Sequence, residues 1–92
     1  MRIYQNITEI KQANKDAGMY FFDRDTMRFF ASCIFPKVYQ GRFFITSEKK
    51  GFEDMRRDYC VREADEHARI QTRVKFPTKK EAEAYIKLLS FK

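Results

Sequence analysis

Cysteine, histidine and glycine are scarce in this chain, and each shortage closes off a class of chemistry. Among 92 residues there are two cysteines, one histidine and three glycines. Cys33 and Cys60 are too few and too far apart to read as a disulfide framework. Neither has a second cysteine two residues away, and His67 stands alone, so zinc-ligand spacings are missing. A reduced, cytosolic compartment fits that usage. The glycines fall at positions 18, 41 and 51, which excludes a glycine-rich phosphate loop. No apolar run approaches the length that crosses a bilayer, and the opening stretch MRIYQNITEIKQ lacks the apolar core of a signal peptide. The expectation is a cytoplasmic protein with no membrane association, metal or cofactor.

Aromatic residues and charge are plentiful. Ten phenylalanines and five tyrosines supply the core of what is expected to be one domain spanning residues 1–92. Nineteen Lys and Arg against 13 Asp and Glu leave a formal charge of +6. That excess favours an acidic partner, either nucleic acid or an acidic protein face, through attraction that salt weakens.

The pattern predicts an α+β fold in the order α-(short α)-β-β-β-β-α, with an antiparallel sheet of three or four strands. Asn6 with Glu9 three residues later marks a helix start, Ile7, Ile10, Ala13 and Ala17 share one side, and Gly18 ends the helix. Asp23 is a second candidate cap, before Met27, Phe30 and Ile34 at helical spacing, although two short strands turning at DRD also fit. CIFPKVYQGRFFITSE reads as strand, turn, strand, with Pro36 restricting the first strand and Gly41 in the turn. DYCVRE is a third strand, DEHA a reversal, and RIQTRVKF a fourth strand with the clearest period of two. Pro77, Thr78 and Glu81 then open a closing helix with an apolar stripe of Ala82, Tyr85, Ile86 and Leu89.

These alternations place Phe43, Ile45, Tyr59, Val61, Ile70, Val74 and Phe76 on one sheet face, which the two longer helices are expected to cover. The other face then displays Arg42, Arg62, Arg73 and Lys75, with Phe44 and Cys60 among them. A one-sided sheet with an arginine-rich outer face is the expected binding surface. Reversing charge at Arg73 and Lys75, or at Arg56 and Arg57, is expected to damage binding while leaving folding nearly intact.

Catalytic arrangements find little support. Cys60 and His67 lie on the two arms of one predicted hairpin, but no oxyanion glycine pattern accompanies them. Asp23 and Asp25 suit a helix N-terminus, and Glu53 and Asp54 lie in a charged loop without an apolar pocket to raise a pKa. The expectation is a protein that binds rather than one that catalyses.

The loop SEKKGFEDMRRDY carries the sharpest local signal. Glu48 to Arg57 hold four positive and three negative charges, net +1, around Phe52 and Met55. A phosphate-gripping loop would be more one-sided; mixed charge around apolar anchors suits recognition of a protein. Lys49, Lys50, Phe52, Met55, Arg56 and Arg57 therefore join the sheet cations as candidate partner-binding residues, against the plainer reading of an exposed hairpin connection.

Basic side chains on a sheet face with Phe44 for stacking also suit nucleic acid. The order helix–strands–helix with PTKKEAEAYIKLL is similar to double-stranded-RNA-binding domains, where a lysine pair at that helix start contacts the phosphate backbone. Lys79 and Lys80 would sit similarly, although the first helix and hairpin lack that family's other signatures.

NITEIKQANKDAGMYFFDRDTMRFFASCI, VYQGRFFITSEKKGFEDMRRDYCVRE and PTKKEAEAYIKLL together resemble small uncharacterised proteins of phages, plasmids and other bacterial mobile elements, most sharply at DTMRFF and FITSE. Members of that group often carry Arg where Cys33 stands, which argues further against a required thiol. The resemblance implies no reaction. It implies a setting in which compact proteins without an active site inhibit host machinery stoichiometrically, as anti-CRISPR proteins do. The implied partner is a host protein or ribonucleoprotein surveillance complex, plausibly of type I, whose capture of target DNA would be blocked through contacts to acidic side chains or to guide RNA or DNA phosphates. The alternative is a small nucleic-acid-binding accessory or regulatory domain, and a third reading is a structural protein of the phage.

Overall fold

Capping decides where the first helix begins and ends. A computed structural model of the chain describes residues 3–29, 32–49 and 56–89. Helix α1, Ile7–Asp16, starts where the Asn6 side-chain oxygen accepts from the Glu9 amide at 2.9 Å. Glu9 reaches back to the Gln5 amide at 3.1 Å, one residue earlier than in an ideal capping box. Gly18, at φ +78°, closes the helix in a Schellman motif. Its amide donates to the Lys15 carbonyl at 2.9 Å, and the Met19 amide donates to the Asn14 carbonyl at 3.1 Å. Ile7, Ile10 and Ala13 are buried as the stripe predicts. Ala17 is exposed instead, and Asn14 is buried, its amide nitrogen donating to the Ala68 carbonyl at 2.8 Å.

A turn follows, closed by the Asp23 amide donating to the Tyr20 carbonyl at 3.0 Å. It carries Phe21 and Phe22 onto Phe44, with ring centroids 6.4 and 5.9 Å away, and leaves Tyr20 77% exposed. Of the two alternatives for this segment the helix forms: α2 is Arg24–Phe29, and the Asp23 carboxylate caps it by accepting from the Asp25 amide at 3.2 Å.

Strands β1 (Cys33–Ile34), β2 (Phe43–Lys49), β3 (Arg57–Ala64) and β4 (Ile70–Phe76) form one antiparallel sheet in the order β1-β2-β3-β4. The chain enters β2 through Gln40 and Gly41, whose consecutive positive φ values of 54° and 71° are those of a type I′ turn. Helix α3, Lys79–Leu89, is capped by Thr78, whose hydroxyl accepts from the Glu81 amide at 3.2 Å. The protein is thus α+β in the order α-α-β-β-β-β-α, as its sequence predicts.

The helices do not share one face of the sheet. Helix α3 buries Ala82 and Ile86 against Phe43, Ile45 and Val61, with Tyr59, Val74 and Phe76 packed around them. Helix α1, with Tyr4 just ahead of it, brings Ile7, Ile10 and Ala13 together with Phe44, Ala64 and Ala68. Phe44 alternates with Phe43 and Ile45, so this second cluster lies on the opposite face. The physical reason is Phe44 itself: a phenylalanine on a nominally wet face attracts a cover, and α1 with the Phe21–Phe22 turn provides it.

A bulge corrects the fourth strand as well. Val61 pairs with Val74 but Arg62 pairs with Thr72, so Arg73 is the extra residue on β4. An inserted residue shifts the alternation by one. Val74 and Phe76 therefore face α3, whereas Ile70 joins the α1 cluster. The uninterrupted period of two read across RIQTRVKF is broken at its middle.

Candidate functional site

The cations expected on an open sheet face are largely engaged within the protein. On the face of Phe44, Glu48 holds two of them. Arg62 lies 3.6 Å from it and Lys75 3.1 Å. The Arg62 side chain is only 12% exposed; its Nε donates to the Thr46 hydroxyl at 3.0 Å, a second nitrogen donates to the Thr72 hydroxyl, and the guanidinium lies over the Phe21 ring. Glu63 does the same for a second pair, with Arg42 at 3.5 Å and Arg73 at 3.3 Å. Arg42 also covers the Phe43 ring, its guanidinium carbon 4.8 Å from the centroid. Arg57 donates to the Ser47 hydroxyl and carbonyl, each at 3.1 Å.

The arginine-rich outer face therefore needs correction. Arg62 is a structural cross-link between three strands, not an outward guanidinium. Phe44 and Cys60, expected beside it on the surface, are fully buried. Arg73 and Lys75 keep side chains 42% and 52% exposed, so each is both an ion-pair partner and accessible. Lys79 pairs with Glu83 at 3.6 Å and covers the Phe35 ring, while Lys80, Lys49 and Arg56 are exposed. Lys50, Phe52 and Met55 lie outside the described residues, as do Glu53 and Asp54.

The thiol and histidine do not form a reactive pair in this setting. Burial pushes the Cys60 thiol above its ordinary pKa, and Glu48 adds to that while Arg62 and Lys75 oppose it. A buried thiol of raised pKa is a poor nucleophile. His67 is exposed in the β3–β4 turn. That turn is organised by Asp65, whose carboxylate accepts from the His67 and Arg69 amides, both at 2.9 Å, and from the Gln71 amide group at 3.2 Å. Burial raises the Asp65 pKa, but these hydrogen bonds outweigh it and hold the carboxyl below its usual range.

Sequence reasoning missed a feature that opens to solvent. A groove of about 550 Å³ runs between α1 and the turn into α2. One wall is a helical face, Thr8, Lys11, Gln12 and Lys15; the other includes Met19, Tyr20 and Arg24. Lys11, Lys15, Tyr20 and Arg24 are exposed, and none of the three cations forms an ion pair among the described residues. The spacing of Thr8, Lys11, Gln12 and Lys15 marks one helical face and was legible. What was not legible is that residues 18–24 fold back beside it.

Fold and charge together define a small basic α+β domain with both sheet faces partly covered and three cations without ion pairs, among the described residues, lining a groove beside the first two helices. The chain belongs to DUF7447, a family of unknown function whose model matches residues 6–88. No curated protein and no solved structure matches it.

Proposed function

We propose that this protein acts by binding, in the cytoplasm of a bacterial host, and that its partner is an anionic surface of a host ribonucleoprotein complex. The observation that carries this reading is the segregation of charge. Arg42, Arg62, Arg73 and Lys75 are held by Glu48 and Glu63, whereas Lys11, Lys15 and Arg24 line an open groove without a carboxylate partner among the described residues. The likeness of NITEIKQANKDAGMYFFDRDTMRFF to mobile-element proteins gives the binding an anti-defence setting: stoichiometric docking on a type I surveillance complex that blocks capture of target DNA.

The test is direct. Purified protein is mixed with a purified type I complex, and target-DNA binding is followed by mobility shift. Co-elution with the complex and loss of DNA capture near one equivalent are expected. Full DNA capture at excess protein, with no co-elution, overturns the anti-defence reading and leaves the nucleic-acid accessory domain as its successor.

A further inference from the structure

We infer that the groove between α1 and residues 18–24 is a site for single-stranded nucleic acid, with Tyr20 as the stacking platform and Lys11, Lys15 and Arg24 as the phosphate contacts. This rests on the reading of the α1–α2 side as the binding side, and names the chemistry of what enters it.

Three observations converge. Tyr20 is 77% exposed and makes no ring contact among the described residues, although its neighbours Phe21 and Phe22 are drawn into the core. The turn closed between Asp23 and Tyr20 holds that ring outward beside the groove rather than leaving it on a free tail. Lys11 and Lys15 stand one helical turn apart, roughly 6 Å along the axis, on the facing wall. A ring set opposite a row of cations is the arrangement by which proteins hold single strands, because every base has a face to stack and every nucleotide a phosphate.

The remaining polar groups agree with this occupant. Thr8 and Gln12 lie on the same helical wall; the Gln12 amide nitrogen donates to the Asp16 carboxylate at 2.8 Å, which leaves its carbonyl oxygen and the Thr8 hydroxyl to meet a base or sugar edge. Asp23 is the carboxylate in the lining, and it is turned to the α2 start, where it accepts from the Asp25 amide. An acidic peptide would use the cations but has no need of an exposed ring. A duplex keeps its bases stacked and offers Tyr20 no face.

The experiment measures fluorescence anisotropy of labelled oligonucleotides with the intact protein. Single-stranded RNA and single-stranded DNA of equal length are compared with a duplex and with polyglutamate. Binding of single strands over duplex and polyglutamate by tenfold or more is expected. Tyr20→Ala should weaken it by at least tenfold, with Tyr20→Phe restoring it. Three phosphate contacts give a logarithmic salt slope of about −2, and Lys11→Ala with Lys15→Ala should reduce that to about −0.7.

Equal affinity for polyglutamate, indifference to Tyr20→Ala, or no binding of any single strand overturns the inference. Circular dichroism of each variant separates loss of binding from loss of fold. Failure here while the surveillance complex is still retained sinks the groove assignment alone. Strand binding without retention of the complex sinks the docking reading alone.

Discussion

Asp65 shows how much of a turn can rest on one side chain. Its carboxylate satisfies two backbone amides of the β3–β4 reversal, and Ala68 sits there at φ +64°. Because its folded pKa is depressed, the stability it contributes is present above the unfolded carboxylate value of about 3.9 and is lost as pH falls through the lower folded value. Asp65→Asn should therefore lower the melting temperature at pH 7 and flatten its decline between pH 5 and 2; an unchanged profile would remove Asp65 from that role. Gly41 is the second such residue. It has a positive φ, its carbonyl accepts from the Tyr4 amide at 2.7 Å, and an added Cβ would lie 3.1 Å from the Ile3 Cβ and closer still to its Cγ2. Gly41→Ala should cost about 1–3 kcal/mol in urea unfolding, through backbone strain and the displacement of Ile3. Arg62 belongs at this scale too. Arg62→Ala leaves Glu48 with Lys75 alone and removes the hydrogen bonds to Thr46 and Thr72, and should cost about 1–3 kcal/mol. Arg73→Ala, at a half-exposed pair, should cost about 0.5 kcal/mol.

The elements were largely legible because their boundaries are set locally. Asn6, Gly18, Asp23 and Thr78 each cap or close a helix through hydrogen bonds within a few residues, and sequence spacing records such bonds. Sheet faces are different. The bulge at Arg73 depends on how β3 and β4 pair, and nothing in RIQTRVKF itself announces it. The placement of α1 opposite α3 hinges on Phe44, which alternation alone assigns to the solvent side. Two substitutions examine the assignment now drawn. Phe43→Ala should cost about 3–5 kcal/mol by opening the α3 layer. Phe44→Asp should unfold the domain just as Phe43→Asp does, since both rings are fully buried; a folded Phe44→Asp protein would restore the one-sided sheet.

At the scale of the whole molecule, two carboxylates withdraw part of the positive charge from the surface. Glu48 and Glu63 each hold two cations against the sheet, while Lys11, Lys15 and Arg24 surround the groove without such partners among the described residues. The net charge of +6 is therefore a poor guide to where an anion would bind. Alternation assigns the charge to an open strand face because it shows which way a side chain points, not what it meets there. The pairing of Arg62 with Glu48 spans 14 residues and that of Lys75 with Glu48 spans 27, beyond the reach of any local pattern. The measurement that bears most directly on this division is elution from a heparin column in rising salt, comparing Lys11→Ala/Lys15→Ala with Arg73→Ala/Lys75→Ala. Both variants lose two positive charges. The account predicts that the helix pair elutes at clearly lower salt than the sheet pair, and equal elution, or the reverse order, would contradict it.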